Sequence, residues 1–183
     1  MAAVDDATVT GRVQVRPAED DEMDAAGAVV VAAYQADGLG GDRDYLQDVG
    51  NARKRAAHGT VLVALDGDEV VGSVTYARHG SPLAEVCAPG EAEFRMLGVH
   101  PDARGRGVGQ ALVQACIDRA RADGARRLVL STEPHSHAAH RIYRRLGFRR
   151  EPALDWTPVP GVDLLVLALP LTDDAAQDGG GWS

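Results

Sequence analysis

The sequence predicts an α/β protein with a central mixed, mostly antiparallel seven-stranded sheet and helices on both faces. Its 183 residues and 45% hydrophobic content suit one ordinary globular core. Asp66-Gly67-Asp68 is typical of a tight hairpin turn, which joins antiparallel strands. The strand–helix–strand pattern over residues 91–132 instead requires a parallel crossover. Both connections in one chain demand a mixed sheet.

The elements before the hairpin follow from local patterns. Residues 13–17 alternate in polarity and stop at a proline, which predicts a short strand. Residues 20–36 begin with acidic side chains that favour a helix N-terminus and continue with an apolar stripe, so we expect a helix. The glycines within 38–41 end it. A second helix is predicted over 42–57, because apolar residues recur there at helical spacing.

The hairpin and the elements after it complete the order β-α-α-β-β-β-α-β-α-β-β. A loop containing proline and glycine, at 79–90, follows the hairpin. Ser136 is a natural N-cap for the last helix and Gly147 a natural stop. The predicted elements are strands at 60–65, 69–78 and 91–99, a helix ending near 122, a strand at 127–132, a helix at 136–146, and strands from 148 onward and at 162–169.

Composition excludes several classes of protein. Residues 1–10 and 171–183 lack apolar periodicity, so we expect flexible ends around one domain at 11–170. The chain has neither a long apolar run nor a signal-peptide pattern, and two cysteines cannot form a disulfide framework. We therefore expect a cytoplasmic protein without membrane contact. The net charge of −8 argues against a nucleic-acid partner.

The segment with the clearest chemistry is a glycine-rich turn between a strand and a helix. Glycines at 105, 107 and 109 let backbone N–H groups at the helix start converge on an anion, and Arg104 and Arg106 add positive charge. The pattern predicts a pyrophosphate site. The dinucleotide-binding pattern G-x-G-x-x-G fails at Gln110, and the chain contains no G-K-[ST] of a P-loop. The pattern that fits is R-x-x-G-x-G.

This pattern resembles that of the GCN5-related N-acetyltransferases, the GNAT superfamily. A second block, Ser136 to Phe148, resembles the family's N-x-x-A-x-x-x-Y-x-x-x-G-F, with Ser136 in place of the common asparagine. The resemblance covers 11–170 and implies the acyl-CoA N-acyltransferase fold, with acetyl-CoA as co-substrate. It also implies that strand 93–99 splays from strand 127–132, with a bulge near Leu97-Gly98. The cofactor-binding residues implied are Leu97, Gly98, Val99, Arg104, Gly105, Arg106, Gly107, Val108, Gly109 and Ser136.

The resemblance also assigns an acid and a base. An alkylamine is mostly protonated at neutral pH, so a base or a water must remove a proton before it attacks a thioester. Tyr143 matches the family's tyrosine and is the candidate proton donor to the departing thiolate. Glu93, which begins the bulged strand, is the candidate base, and Glu91 is the reserve. The bulge that the resemblance implies would also place the N–H of Leu97 to stabilise the oxyanion.

The acceptor is the least determined part of the reaction. We expect a primary amine on a small molecule, and the acidic Asp42 and Asp44 suit a cationic acceptor. Two alternatives remain: an N-acetyltransferase acting on proteins or peptides, and a non-catalytic module that senses acyl-CoA. The histidines near 137 lack the i,i+4 spacing of a helical zinc pair, so we expect no metal. Exposed edge strands and the resemblance favour a homodimer.

Overall fold

The structure is a computed structural model that describes residues 8–10, 13–39, 41 and 43–172. The chain forms two compact units. The first comprises the residues up to Tyr76 together with Met96–Ala115, and the second comprises Ala77–Arg95 together with the residues from Cys116 onward. Each unit is described by itself below.

The first unit is built on antiparallel strands that pair in chain order. Val13 lies opposite Asp66 and Pro17 opposite Leu62, so the second strand runs along the third. The strands are β1 (Thr8–Thr10), β2 (Val13–Pro17), β3 (Thr60–Asp66) and β4 (Glu69–Arg78), the last of which continues into the second unit. The helices are α1 (Met23–Ala36), α2 (Arg43–Gly50) and α3 (Ala52–Ala56).

One face of β3 carries the core of the first unit. Val61, Val63 and Leu65 alternate along the strand and pack against Met23 and Ala26 of α1. Successive residues of a strand point to opposite faces, so this face belongs to α1. Burial of these aliphatic side chains stabilises the unit by about 25 cal/mol for each Å² of apolar surface removed from water.

The opposite face of the same strands meets a helix that starts in the first unit, α4 (Val108–Ala122). A Cβ added at Gly72 of β4 would lie 2.9 Å from side-chain carbons of both Val108 and Leu112. Gly72 pairs with Ala64, which points away from the α1 face because Leu65 points toward it. Helices therefore cover both faces of the sheet in this unit, as the sequence predicted.

The two helices expected near the N-terminus are divided differently from the prediction. Residues Asp20–Glu22 form a 3-10 turn, and the α-helix proper begins at Met23. The single helix expected over 42–57 is wrong: α2 ends at Gly50 and α3 begins after Asn51. The Asn51 side chain accepts a hydrogen bond of 2.9 Å from the Lys54 N–H, so Asn51 starts a new helix instead of continuing the old one.

The second unit contains the parallel pairing of the sheet. Its strands are β5 (Ala92–Val99, which ends in the first unit), β6 (Arg127–Thr132), β7 (Arg149–Arg150), β8 (Trp156–Val159) and β9 (Val162–Pro170), and its helix is α5 (His137–Arg145). β5 runs parallel to β6, whereas β9 is antiparallel to β6, β7 and β8. The prediction of a mixed, mostly antiparallel sheet is confirmed.

The parallel pair is short. Ala92 lies opposite Leu128 and Glu93 opposite Val129, and the recorded register ends there although β6 continues to Thr132. Within this unit, the pairing of β5 with β6 therefore covers only the first two residues of β5.

The structure adds strands that the seven-strand prediction lacks. Thr8–Thr10 pairs with Val13–Val15, inside a segment expected to be flexible, and Trp156–Val159 pairs with β9. The remaining residues of the two expected flexible ends, 1–7 and 173–183, lie outside the described residues. Within the part of the chain that the structure describes, no helix has the length and apolar character needed to cross a bilayer.

Candidate active site

The glycine-rich turn lies in the first unit, between the end of β5 and the start of α4. Gly105 has φ +74° and Gly107 has φ +79°, in the left-handed region that side chains disfavour. A Cβ built on either glycine meets no atom within 4 Å. The space above the turn is therefore open, and the backbone there can approach a ligand closely.

The start of α4 supplies donors for that space. The N–H of Ala111 donates to the carbonyl of Gly107 at 3.0 Å and closes the first helical turn. The N–H groups of Val108 and Gly109 precede this bond, and helix geometry leaves such groups without an intrahelical partner. The positive end of the helix dipole lies at the same place. The turn, here named the anion cradle, thus has an open backbone with unpaired N–H groups at a helix start, a geometry that fits a pyrophosphate.

The two arginines of the cradle are held by carboxylates of other elements. Arg104 makes a bidentate ion pair with Asp37, with N···O distances of 2.8 and 3.1 Å, and its Nη2 also donates to the carbonyl of Ala33 at 3.3 Å. Arg106 pairs with Asp66 at the end of β3. The sequence predicted both arginines as anion ligands, but nothing in it indicated these two acidic partners.

The strand before the cradle carries the expected backbone irregularity. Met96 has φ +53°, a left-handed conformation one residue before Leu97-Gly98, where we expected the bulge. Gly98 faces α1: a Cβ there would lie 2.7 Å from Val30 Cα and 3.3 Å from Ala33 Cβ. Leu97 and Val99 are half-buried on either side of it. Gly98 is therefore required by the packing of α1 on β5.

Tyr143 is buried on α5 in the second unit, with 4% of its surface exposed. Its ring lies 5.9 Å from the rings of Phe94 and Phe148, measured between centroids. Burial raises the pKa of the Tyr143 phenol well above its ordinary value, with a further contribution from Cys116. The hydroxyl therefore keeps its proton at neutral pH, as a proton donor must.

Glu93 is fully buried near the start of β5 and is held in one orientation. Its Oε2 accepts hydrogen bonds from three consecutive backbone N–H groups, those of Glu85 and Val86 at 2.9 Å and that of Cys87 at 3.2 Å. Its Oε1 has no hydrogen-bond partner among the described residues. Burial raises the pKa of Glu93 and outweighs these N–H donors and Arg95, which lower it.

Glu93 and Tyr143 lie on opposite faces of β5. Phe94 points toward the Tyr143 ring, and Glu93 is the preceding residue of the strand, so its side chain points the other way. One side of the strand therefore carries a carboxylate with a free oxygen and the other a protonated phenol. Such an arrangement suits a reaction that removes a proton on one side and delivers one on the other.

Glu91, the reserve base, is committed to other contacts. It accepts from the Ala88 N–H at 3.0 Å and pairs with Arg126 at 3.0 Å and Arg127 at 2.9 Å. Burial raises its pKa, but the Ala88 N–H and the two arginines hold the pKa below its ordinary value. A carboxylate with a low pKa and occupied oxygens is a weak proton acceptor, so Glu93 is the better candidate.

Ser136 immediately precedes α5, and His140 lies in the first turn of that helix. Ser136 stands at the N-cap position, as predicted, but its hydroxyl makes no capping hydrogen bond. The Nε2 atom of His140 lies 3.4 Å from the Thr132 hydroxyl, and burial lowers the His140 pKa. His140 is three residues before Tyr143, a spacing that places both on one helical face. This spacing is visible in the sequence, so a histidine on the same helical face as the candidate acid could have been predicted from it.

The acidic residues after α1 are exposed or lie outside the described residues, whereas Cys87 belongs to the loop that holds Glu93. Asp44 is exposed in the first turn of α2, and Asp42 lies outside the described residues. Burial, then Glu93 and Glu91, raise the pKa of Cys87 to about 11, so its thiol is protonated. Within the described ranges, no group of three or more histidine, cysteine or acidic side chains is arranged to hold a metal ion.

Comparison with known proteins identifies the family and the fold of the chain. Residues 30–148 match the Acetyltransferase (GNAT) family, which is more than half of the chain. The chain belongs to this family. It is 24% identical to the putative acetyltransferase yncA of Salmonella typhimurium, solved with its cofactor acetyl-CoA, with a TM-score of 0.65 over 92% of this chain and 99% of the other. That likeness establishes the acyltransferase fold.

Two curated relatives match about half of the chain. A mycothiol acetyltransferase of Cellulomonas flavigena is 38% identical over 94 residues, which are 50% of this chain and 27% of the relative. An L-methionine sulfoximine/L-methionine sulfone acetyltransferase of Pseudomonas paraeruginosa is 38% identical over 99 residues, 54% of this chain and 55% of the relative. The match thus spans between about a quarter and about half of the length of these two relatives.

Proposed function

We propose that this protein transfers an acetyl group from acetyl-CoA to a primary amine of a small molecule, by direct attack in a ternary complex. The observation that carries the proposal is the anion cradle at Gly105 and Gly107, with left-handed glycines and open space at the start of a fifteen-residue helix. Membership of the GNAT family supports the same co-substrate.

The residues present fit acetyl-CoA. Backbone N–H groups of residues 105–109 would bind its pyrophosphate, because they converge at a helix start. The backbone of Leu97, Gly98 and Val99 would bind the pantetheine arm as an added strand, since the Met96 irregularity interrupts regular pairing. We also assign Ser136, whose hydroxyl makes no capping hydrogen bond, to the binding of this arm. Acetyl-CoA supplies the activated thioester, and the chain supplies orientation and proton transfer.

Proton transfer is assigned to Glu93 and Tyr143. Oε1 of Glu93 takes the proton of the acceptor amine, through a water where the buried oxygen is not reached directly. The three N–H donors on Oε2 keep this carboxylate in place while it does so. The Tyr143 hydroxyl protonates the thiolate that leaves. The protonated, buried thiol of Cys87 favours direct attack over an acyl-cysteine route.

A cationic small molecule is the acceptor that the chain favours. The net charge of −8 attracts cations, and Asp42 and Asp44 belong to the segment after α1 that we assign to the acceptor. The small-molecule substrates in the names of the two curated relatives support this choice. The alternatives are a protein or peptide amine and a module that binds acyl-CoA without turnover.

The test is acetyl-CoA turnover, measured as free thiol, across a panel of polyamines, amino acids, methionine sulfone, aminoglycosides and peptides. Turnover with a small amine supports the proposal, and turnover confined to peptides supports the first alternative. Calorimetric binding of acetyl-CoA with no turnover by any acceptor would point to the sensing module. Absence of binding would reject the proposal altogether.

We also propose a cytoplasmic homodimer. Edge strands invite pairing between copies, and β7, which pairs with β9, is an edge strand of the second unit. Light scattering at micromolar concentration tests the assembly, because a mass near the 19.3 kDa of one chain rejects a dimer. Fractionation of the producing cells tests the compartment.

A further inference from the structure

A second charged side chain lies beside Glu93 on the same face of β5. Arg95 follows Glu93 by two residues of the strand, a spacing of about 6.6 Å that keeps both side chains on one face. One loop residue holds both: the Glu85 N–H donates to Glu93 Oε2 at 2.9 Å, and the Glu85 carboxylate pairs with Arg95 Nη2 at 2.9 Å. Within the second unit, a guanidinium is therefore the neighbour of a carboxylate whose Oε1 has no partner among the described residues.

The guanidinium of Arg95 retains the capacity to bind a further group. A guanidinium has five N–H donors, and Arg95 uses Nη1 for the Leu83 carbonyl at 3.0 Å and Nη2 for the Glu85 ion pair. The Arg95 side chain is 24% exposed, whereas Glu93 is fully buried. Burial raises the pKa of Glu93, and the nearby charge of Arg95 is among the influences that lower it. A ligand that approaches Glu93 Oε1 therefore meets an accessible guanidinium beside it.

The two neighbouring charges discriminate between kinds of acceptor amine. An alkylamine arrives as an ammonium ion, which is attracted by the Glu93 carboxylate and gains nothing from an arginine. An amine that also carries a carboxylate gains from both side chains, because arginine binds carboxylates through charge-assisted hydrogen bonds. An α-amino acid has its amine and its carboxylate on the same carbon atom, which suits two protein side chains only two residues apart.

An aromatic side chain lies on the same face of the sheet. Glu93 is level with Val129 of β6, so Ser131, two residues further along β6, points to the Glu93 face. The Ser131 hydroxyl accepts a hydrogen bond of 3.1 Å from Nε1 of Trp156, which holds the half-buried indole against β6. Two residues after Glu93 and Val129, the level of Ser131 is also that of Arg95. The indole thus offers a flat apolar surface to the side chain of an acceptor bound at Arg95.

We propose that Arg95 binds the carboxylate of the acceptor, that Trp156 contacts the acceptor side chain, and that the acceptor is an α-amino acid. This inference rests on the proposed function and narrows it. Glu93 takes the proton of the α-amine, while Arg95 and Trp156 determine which amine is placed there. The cation that the acidic chain attracts is then the ammonium group of a zwitterion. Glu85 keeps the Arg95 guanidinium in position for the carboxylate.

The test compares acceptors that differ in the carboxylate: L-methionine, L-lysine and L-phenylalanine, each beside its amide, with free thiol as the readout. The wild type should have the higher kcat/KM with the amino acids. Amine ionisation alone would favour the amides, because an amino amide holds its amine proton less tightly. In Arg95→Gln the ratio of kcat/KM between acid and amide should fall about 30-fold, the scale of a lost charge-assisted hydrogen bond. The KM for the amino acid should carry this loss, and the acetyl-CoA KM should stay unchanged.

Two further variants control for a defect in folding. Arg141→Gln removes an exposed arginine of α5 and should retain the wild-type ratio. Arg95→Lys keeps the charge without the planar fork and should give an intermediate ratio. Amides used as well as amino acids by the wild type, or a wild-type ratio in a folded Arg95→Gln or Arg95→Lys protein, would overturn the carboxylate assignment and leave the proposed function standing. Absence of turnover with every amine of the panel would reject the proposed function as well.

The contact of Trp156 with the acceptor has its own test. Trp156→Ala should raise the KM of the best amino acid about tenfold and leave that of glycine nearly unchanged, since glycine has no side chain to contact. Trp156→Phe keeps an aromatic ring and should retain most of the wild-type affinity. An equal change of KM for glycine and for the larger amino acid in Trp156→Ala would overturn this part of the proposal.

Discussion

Tyr143 packs its ring against Phe94, with 5.9 Å between the ring centroids and the planes tilted by 57°. The contact places a phenol on the face of β5 opposite to the Glu93 carboxylate. Tyr143 therefore has a packing role through its ring, in addition to the proton-donor role that we propose for its hydroxyl. The two roles can be separated because phenylalanine preserves the ring and removes only the hydroxyl.

Tyr143→Phe is expected to lower kcat about 100-fold with little change in the acetyl-CoA KM, the usual scale for loss of a general acid. The midpoint of thermal unfolding should stay close to that of the wild type, since the ring contacts persist. Steady-state kinetics with the acceptor identified by the panel provide the measurement. An unchanged kcat would assign protonation of the thiolate to water.

The pH dependence of kcat/KM tests Glu93. A base acts when it is ionised, and burial raises the pKa of Glu93 above its ordinary value. The rate should therefore rise with pH through a limb that lies above the value of about 4.3 for a free glutamate. Glu93→Gln should remove this limb and leave the rise due to the amine itself.

The control for Glu93 is Glu85→Gln, which removes a half-exposed carboxylate of the same loop, paired with Arg95 at 2.9 Å. That variant should retain the limb. A limb that persists in Glu93→Gln would exclude Glu93 as the base. His140, whose pKa is lowered by burial, would then be the next residue to substitute.

Glu91→Gln should destabilise the protein by about 1–3 kcal/mol at pH 7, because a buried carboxylate loses charge-assisted hydrogen bonds. The pKa of Glu91 lies below its ordinary value in the folded protein, so its ionised form stabilises the fold above the unfolded pKa of about 4.3. The difference from the wild type should shrink as pH falls through the lower folded pKa.

Urea unfolding at pH 7 and at pH 3 measures that effect of Glu91. The matched control is Glu151→Gln, which removes a more exposed carboxylate that pairs with Arg127 at 3.3 Å. Its cost should be about 0–1 kcal/mol, as for exposed ion pairs. Equal costs for the two variants at pH 7 would contradict the anchoring role of Glu91.

Gly107→Val should abolish acetyl-CoA binding and leave the fold intact. The left-handed backbone would cost about 1–2 kcal/mol, and the side chain would occupy the open space of the cradle. Gly124→Val is the control, because Gly124 has φ +70° and equally open surroundings but lies after α4. Calorimetry should show normal binding for the Gly124 variant, and binding by a folded Gly107→Val protein would refute the cradle.

Gly27→Ala should destabilise the protein by about 3 kcal/mol, the cost of overpacking a close contact. A Cβ at Gly27 of α1 would overlap the backbone carbonyl of Gly50, the last residue of α2. Gly50→Ala is the control, since its Cβ would meet only Val31 Cγ2 at 3.2 Å. Chemical denaturation measures the free energy of unfolding of both variants. A similar loss of stability in the two would contradict a rigid contact between Gly27 and Gly50.

The sequence by itself determined most of the elements and the position of the glycine-rich turn. Alternation and helical spacing are local, so strands such as 13–17 and 127–132 were predicted with their observed ends. The turn at Gly105 and Gly107 was also predictable, because a left-handed backbone at a strand-to-helix turn is a local property that favours glycine. Tyr143 was identified through the motif around it.

The tertiary structure decided what depends on contacts between distant segments. The break at Asn51 accompanies the close approach of Gly50 to Gly27, twenty-three residues earlier in the chain. Burial and the N–H groups of loop 85–87 set the pKa and the orientation of Glu93, and neither is visible in its neighbours in sequence. The pairing of Arg104 with Asp37 joins residues 67 positions apart. Local patterns specify conformation, whereas desolvation and ion pairing arise only when the folded chain brings such residues together.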